Sequence, residues 1–356
     1  MQNEIKVQSH GEYMDWEKVN RYVLEKQHLT SKCDSVLKCV EDIAGLNSVV
    51  AVTPYLSLFN RVRDFKKPML DEEMYEKKRL YRLRLMRGTL FVVTTSFLPI
   101  AYSATIDNTQ RIYGRFRKYC SISEKELHKL RNEIIKILEK GEGTAKEIRK
   151  QIGIDNKNVS PVLRWLMEDI PLARGRPLGT WKGEQFRYSL LPQGVELNMD
   201  KKKAKVLLVE KFLKSFGPAT LKDLAWWSGL GKKESRNILG EISTINVGDG
   251  LLLLEKEAKD FDNFKADDES LLLMSGFDQY VITYKYSICP RLVTEKNLSH
   301  IYNKYGELHD PIIRNGRIIG RWCVKEGKIS HMLYQKRNNK TELYRKIEKM
   351  EEFVNE

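Results

Sequence analysis

The sequence predicts an α+β protein made of three tandem winged-helix domains and a C-terminal antiparallel β region. Two stretches repeat the order helix, helix, helix and hairpin, which is typical of winged helices. The last part of the chain alternates strand-like runs with tight-turn dipeptides. We place the boundaries as follows: domain 1 with the candidate site, 13–120; domain 2, 121–195; domain 3, 204–260; the β domain, 268–345; and a terminal helix, 341–356.

Domain 2 is the clearest unit. Ser123 followed by Glu126 has the spacing of a capping box, and apolar residues then recur at helical intervals. A short helix begins after Thr144, and NKNVSPVLRWLMED predicts a third. PLARGRPLGTWKGEQFRYSLL follows as two strands around a glycine-rich turn. In a winged helix the third helix enters the major groove and the hairpin, or wing, contacts the backbone.

Domain 3 repeats this order. A helix is predicted from Ala204 to Phe216, a second after Thr220, a third over KKESRNILGEIST, and a hairpin around Gly248 to Gly250. Trp226 and Trp227 are adjacent on the second helix, so their side chains diverge by about 100°. We therefore expect one to lie in the domain core and the other to contact a neighbouring domain.

The two ends of the chain are predicted by weaker patterns. In domain 1, WEKVNRYVLEKQHL and EEMYEKKRLYRLRLMRG are predicted helices, and GTLFVVTTSFLPIAYSAT one or two strands. In the C-terminal part, LLLMSGFDQYVITYKY and DPIIRNGRIIGRWCVKEGKISHMLY are predicted strands. Asn315–Gly316 and Glu326–Gly327 predict tight turns there.

The charge balance favours a polyanionic partner. The net charge is +14 and the pI about 9.3, which favours phosphate neutralisation, although a generally lysine-rich proteome is the alternative. The densest basic and aromatic cluster is RIYGRFRKY, at 111–119. The predicted DNA-binding residues are Arg61, Arg87, Arg111, Arg115, Arg117, Lys118, Lys157, Asn158, Arg164, Arg174, Arg176, Lys182, Arg187, Lys232 and Lys233.

Other classes of protein have little support. Five cysteines without a CxxC pair argue against disulfide frameworks and zinc ribbons, and no P-loop, GxGxxG or HExxH occurs, so we expect no metal and no cofactor. Ile43 to Asn60 carries no charge, but seven of its 18 residues are Gly, Pro or polar, a poor fit to a membrane span. The polar N-terminus and the lack of a dimerisation element predict a cytoplasmic, nucleoid-associated monomer.

Four segments carry a resemblance to a known family. TPYLSLFNRV, MRGTLFVV, GPATLKDLAWWSGL and the pair GFDQYVITYK and IIRNGRIIGRW resemble segments of the AlkZ/YcaQ-type DNA glycosylases, which unhook interstrand crosslinks. The resemblance spans about Trp16 to Trp322 and implies tandem winged helices, a C-terminal β region and double-stranded, possibly damaged, DNA as partner. It implies hydrolysis of the N-glycosidic bond of an alkylated purine, through an oxocarbenium-like sugar and an activated water.

The implied catalytic motif departs from the family pattern. The family carries Gln-x-Gln or Gln-x-Asp just before the PYLxLF segment. In one register the matching positions here are Asn47 and Val49, and in the alternative register they are Ile43 and Gly45. Asn47 keeps a carboxamide, and Asp42 could act as a base in a shifted register, so these two are the catalytic candidates. An amide can orient water but cannot take its proton. Whether the chain is an enzyme therefore stays open at this point.

A transcription regulator without enzymatic activity is the alternative. Winged helices are common in regulators, which usually dimerise and read a palindrome. NKNVSPVLRWLMED offers Asn156, Lys157, Asn158 and Ser160 as base-reading candidates. The dominance of Lys and Arg in the basic clusters favours sequence-independent binding instead.

Overall fold

The computed structural model describes residues 14–117, 123–153, 171–265, 269–335 and 340–356, without the side chains of residues 113 and 115–117. Within these ranges the chain is a mixed α+β protein whose sheets are all antiparallel. The α-helices are α1 Trp16–Lys26, α2 Val36–Asp42, α3 Thr53–Arg61, α4 Lys67–Asp71, α5 Leu98–Arg117, α6 Glu124–Glu139, α7 Ala145–Ile152, α8 Lys201–Phe216, α9 Leu221–Ser228, α10 Lys232–Leu239, α11 Ala258–Asn263, α12 Gln279–Ile282, α13 Ile288–Arg291 and α14 Thr341–Asn355.

The strands form four sheets, with the orders β1-β3-β2, β4-β5, β6-β8-β7 and β12-β11-β10-β9. Short 3₁₀ or π turns lie at Glu72–Glu76, Met86–Gly88, Glu255–Glu257 and Glu295–His300. The strands are β1 Leu46–Asn47, β2 Leu80–Arg84, β3 Leu90–Thr94, β4 Leu172–Pro177, β5 Phe186–Leu190, β6 Ala219–Thr220, β7 Thr244–Asn246, β8 Leu251–Leu254, β9 Leu271–Leu273, β10 Pro311–Arg314, β11 Arg317–Lys325 and β12 Lys328–Leu333.

Two predictions for domain 1 differ from the structure. The predicted helix over EEMYEKKRLYRLRLMRG is wrong from Leu80 onward, because this part forms β2, which pairs with β3. Within β2, Arg82 is buried with its guanidinium over the ring of Phe186. The predicted strands over GTLFVVTTSFLPIAYSAT are only half right, since α5 begins at Leu98 with a proline in its first turn, where no amide donor is needed.

Domains 2 and 3 follow the predicted order where they are described. Ser123 and Thr144 cap α6 and α7 with reciprocal bonds to Glu126 and Glu147, and Thr220 caps α9. The predicted third helix of domain 2 lies outside the described residues. In domain 3, α8, α9 and α10 precede the hairpin of β7 and β8.

The two adjacent tryptophans behave as predicted. Trp227 is buried against Phe212 and Phe216 of α8. Trp226 points away from that core and donates its indole N–H to the carbonyl of Ile282 in the C-terminal part, at 3.0 Å. The α9 helix therefore ties domain 3 to the C-terminal part.

The C-terminal part contains the predicted antiparallel sheet. Asn315 and Glu326 adopt positive φ in its two tight turns, each followed by a glycine that does the same. The strand predicted over FDQYVITYKY is wrong, because Asp278 caps the short helix α12 in that segment. The terminal helix α14 packs on domain 1, where Phe353 stacks on Phe59 with ring centroids 4.4 Å apart. None of the described helices is both long and apolar enough to cross a membrane.

Candidate nucleic-acid interface

Asn47 lies at the edge of the β1-β3-β2 sheet, in register with Phe91. Its side chain is almost fully buried, and its Oδ1 accepts the backbone N–H of Val49 at 3.1 Å. The backbone N–H of Ser48 donates to the carbonyl of Leu90 at 2.8 Å, so the segment runs beside the start of β3. Val49 is 47% exposed and apolar. The acceptor oxygen of the one amide in this segment is thus used within the loop itself.

Asp42 lies towards the opposite end of this sheet. Its neighbour Glu41 accepts hydrogen bonds from the hydroxyls of Thr94 and of Ser96 (2.9 Å for the latter), at and just beyond the last residue of β3. Five residues of strand separate the two ends, roughly 13 Å from first to last Cα. Among the described residues, no hydrogen bond joins Asp42 to Asn47. The structure therefore does not bring the two catalytic candidates together.

The carboxylate of Asp42 is held by the side chains of His28 and Lys38. His28 Nε2 lies 2.9 Å and Lys38 Nζ 2.6 Å from its Oδ2. Burial alone would raise the pKa of Asp42, but the hydrogen bonds and charges of His28 and Lys38 outweigh burial and lower the pKa to about 2. This arrangement stabilises an anion and anchors α2 to the end of α1.

We expect Asp42→Asn to reduce the free energy of unfolding at pH 7 by roughly 1–2 kcal/mol, since the depressed pKa measures stabilisation of the charged form. That stabilisation is present above the unfolded pKa near 3.8 and is lost as pH falls through about 2. Urea titrations of the wild type and the variant at several pH values between 7 and 2 measure the difference. If the wild type and the variant differ in unfolding free energy by the same amount at pH 7 and at pH 2, the charge of Asp42 is not what stabilises the fold.

The prediction that Arg61 contacts DNA is wrong. Its guanidinium is completely buried, and it donates to both carboxylate oxygens of Asp278 at 2.7 Å each. It also donates to Gln27 Oε1 and to the carbonyl of Ser57. Because solvent does not reach this side chain, neither does a phosphate, and Arg61 instead joins α3 to the segment before α12.

Two cations of the domain 2 hairpin are engaged with other parts of the chain. Arg176 lies 2.5 Å from Glu76, and Lys182 donates to the carbonyl of Val354 in α14 at 2.6 Å. The wing was predicted to protrude, but it packs against domain 1 and the terminal helix. A phosphate contact by Arg176 or Lys182 would have to replace these bonds.

The other two hairpin cations have contacts inside domain 2. Arg187 pairs with Glu147 of α7 at 3.1 Å. The guanidinium of Arg174 lies over the ring of Tyr188, 5.6 Å from its centroid. These two remain proposed DNA contacts.

Three predicted DNA-binding residues from distant parts of the sequence meet in one pocket of about 500 Å³. Arg87 comes from the turn between β2 and β3, Arg111 from α5, and Lys232 from the first turn of α10. We call this the Arg87 pocket. It is further lined by Asn108, Ile112, Lys222, Ala225, Trp226, Gly229 and Tyr286, which the sequence did not assign to a site.

Two of the family-like segments contribute residues that line this pocket. Arg87 belongs to MRGTLFVV, and Trp226 and Gly229 to GPATLKDLAWWSGL. Gly229 ends α9 with φ +77°, and a Cβ there would lie 2.9 Å from the backbone nitrogen of Arg87. Only glycine permits this close approach.

The remaining predicted contacts are less defined. Lys233 is exposed beside Lys232. Arg115 and Arg117 lie within α5, but their side chains are not among those described. The other predicted DNA-binding residues fall outside the described ranges: Lys118, Lys157, Asn158 and Arg164.

A carboxamide that the sequence did not assign to a site lies beside β1. Gln279, at the start of α12, is buried and donates to the carbonyl of Gly45 at 3.4 Å. Its Oε1 has no hydrogen-bond partner among the described residues. It belongs to the family-like segment GFDQYVITYK, so a second amide adjoins the segment of Asn47.

The described elements define a mixed α+β protein with a helix, helix, helix and hairpin unit, antiparallel sheets and a cation-lined pocket. The comparison with family models matches the family described as DNA glycosylase AlkZ-like over residues 40–353. The chain therefore belongs to the AlkZ-like DNA glycosylase family, whose role is DNA repair, and this membership does not favour the transcription regulator.

Solved structures support the same fold. The chain is similar to the Streptomyces sahachiroi DNA glycosylase AlkZ, with a TM-score of 0.75, 18% sequence identity, and coverage of 94% of this chain and 95% of that one. A search of curated protein sequences found no match.

Proposed function

We propose that this protein binds duplex DNA as a monomer through the basic end of its β1-β3-β2 sheet, and that it hydrolyses N-glycosidic bonds far more slowly than a glycosylase with two polar groups in the motif. The observation that carries the proposal is the meeting of three family-like features at that end. They are the segment of Asn47, the turn of Arg87 and the AWWSGL helix α9.

The sheet topology explains this meeting. Because β1 runs antiparallel to β3, the chain leaving Asn47 passes the start of β3 at Leu90. The turn of Arg87 immediately precedes that strand. Any DNA that lies against the Arg87 pocket therefore also lies at the end of the sheet towards which the Asn47 segment runs.

The chemistry of the Asn47 segment supports slow hydrolysis. Cleavage of an N-glycosidic bond needs polar groups that hold and orient a water as the sugar becomes oxocarbenium-like. The oxygen of Asn47 already accepts from Val49, and Val49 offers no second polar group for that water. Asp42 is ionised, but it lies towards the other end of the sheet.

Titration of a duplex tests the DNA-binding part of this proposal. We expect the logarithm of the association constant K to fall linearly with the logarithm of the salt concentration. Each phosphate contact should contribute about −0.9 to the slope. Random and genomic duplexes should bind with similar affinity, because phosphate contacts carry no sequence information. Fluorescence anisotropy measures both. A preference above roughly 10³ for one genomic sequence would instead indicate a regulator, and no binding at any salt concentration would refute the proposal.

A further inference from the structure

We propose that the Arg87 pocket is a phosphate-binding site that holds one backbone phosphodiester of the bound duplex. This inference rests on the proposed function and gives it a specific anchoring point. It assigns to the pocket a ligand class, a monoanionic phosphate, and a main recognition group, the guanidinium of Arg87.

The first support is an excess of positive charge. Arg87, Arg111, Lys222 and Lys232 line the pocket, and Lys285 lies at its edge over Trp226. Within the described part of the chain, none of the five forms an ion pair with a carboxylate. Neighbouring cations differ in this respect, since Lys201 on α8 pairs with an aspartate at 2.6 Å. A concave site with unpaired cations attracts anions most strongly where water is partly excluded.

The second support is the burial of Arg87. Its Nε is buried and has no hydrogen-bond partner among the described residues. Burial lowers the pKa of Arg87 to about 10, and no carboxylate offsets this effect. A guanidinium that is partly buried without a carboxylate partner loses hydration that no counter-charge replaces. A phosphate can accept two parallel hydrogen bonds from it and supply the missing charge.

The third support is that the cations are held in place before a ligand arrives. The guanidinium of Arg87 lies 4.6 Å, and the ammonium of Lys285 4.3 Å, from the centroid of the Trp226 ring. The ring itself is fixed by its hydrogen bond to Ile282. Arg111 is oriented by a 2.7 Å bond to Asn108 Oδ1. Such positioning reduces the entropy lost when a ligand binds.

The position of α10 points to the DNA backbone as the source of the phosphate. Lys232 is the first residue of this eight-residue helix, whose cap residue Gly231 has no side chain to bond the first amides. Helix N-termini favour phosphates through these amides and the helix dipole. Moreover, α10 is the third helix of its unit, the element that meets DNA in helix-turn-helix proteins.

The test compares the salt dependence of duplex binding in the full-length wild type, Arg87→Gln and Lys232→Gln. We expect each variant to reduce the slope of log K against log salt by about 1, and affinity at 0.1 M salt by about eightfold, on random and genomic duplexes alike. Lys232 is exposed, so its variant keeps the test valid even if Arg87→Gln folds poorly. Arg63→Gln is the matched control, because this exposed arginine pairs with Asp34 outside the pocket.

The outcomes separate this inference from the proposed function. A wild type that binds no duplex refutes the proposed function. A wild type that binds, with unchanged slopes in folded Arg87→Gln and in Lys232→Gln, refutes the phosphate site alone. A thermal-shift titration with pyrophosphate tests whether the pocket instead binds a free phosphoryl compound. If pyrophosphate stabilises the wild type but not Arg87→Gln while the duplex slopes are equal, the pocket takes a free phosphoryl compound and the backbone assignment is wrong.

Discussion

Replacing both Asn47 and Val49 by glutamine is expected to raise the release of N7-methylguanine from duplex DNA by about 10²-fold or more over the wild type. The double variant restores the Gln-x-Gln pattern of the family at the matching positions, so that two amides can hold and polarise one water. Groups that position or activate a nucleophilic water contribute roughly 10²- to 10⁴-fold to such reactions. Single-turnover release of the free base measures the effect.

Two controls accompany this experiment. Val49→Gln alone adds a polar group at an exposed position, so it reports activity without a packing change. Asp42→Asn should leave the rate of the double variant unchanged, because its carboxylate lies towards the other end of the sheet. Release at the wild-type rate by a folded double variant that still binds DNA would show that this segment does not face the glycosidic bond.

The second large effect concerns stability. Arg61→Met is expected to reduce the free energy of unfolding by roughly 3–5 kcal/mol, because it leaves the carboxylate of Asp278 buried without its partner. Both groups are almost inaccessible to solvent, at 0% and 1% exposed. Ser57 donates a further hydrogen bond to Asp278 at 2.5 Å but brings no charge.

Urea unfolding of Arg61→Met, Asp278→Asn and the double variant forms a thermodynamic cycle. We expect the double variant to be less destabilised than the sum of the single changes, since removing both charges removes the uncompensated one. The salt slope of DNA binding should stay at the wild-type value in folded Arg61→Met. If Arg61→Met lowers the free energy of unfolding by less than about 1 kcal/mol and also reduces the salt slope of DNA binding, Arg61 is a DNA contact after all.

Much of the fold could be predicted because local rules determine it. The capping residues Ser123, Thr144 and Thr220 begin helices as expected, and Asn315 and Glu326 form the predicted tight turns. These features depend on neighbours within a few residues. The family-like segments then predicted the AlkZ-like family correctly.

The errors came from residues whose surroundings are set by distant parts of the chain. Arg82 was placed in a predicted helix and Arg61 among the DNA contacts, but both are buried. Their partners Phe186 and Asp278 lie about 100 and 217 positions away in sequence. The docked hairpin has the same origin, because its partners Glu76 and Val354 lie far from it in sequence. Charge patterning alone cannot separate a buried, paired arginine from an exposed one.

Single residues of the candidate site were predicted from the sequence, but their arrangement in space was not. Arg87, Arg111 and Lys232 were each expected to contact DNA, but nothing in the sequence indicated that they share a pocket with Trp226. The separation of Asp42 from Asn47 was equally hidden, because the two are only five positions apart in sequence, while the structure places their contacts towards opposite ends of β3. The separation follows from the pairing of β1 with β3, and the shared pocket from the packing of α5, α9 and α10 around the turn of Arg87.

The most direct test of the central claim is a single experiment on the wild type. A duplex carrying N7-methylguanine is titrated to saturation, and release of the base is then followed under single-turnover conditions. We predict salt-dependent binding with release at least about 10²-fold slower than that of the Asn47→Gln, Val49→Gln variant. Release as fast as that of the double variant, and abolished by Asn47→Ala, would contradict the account.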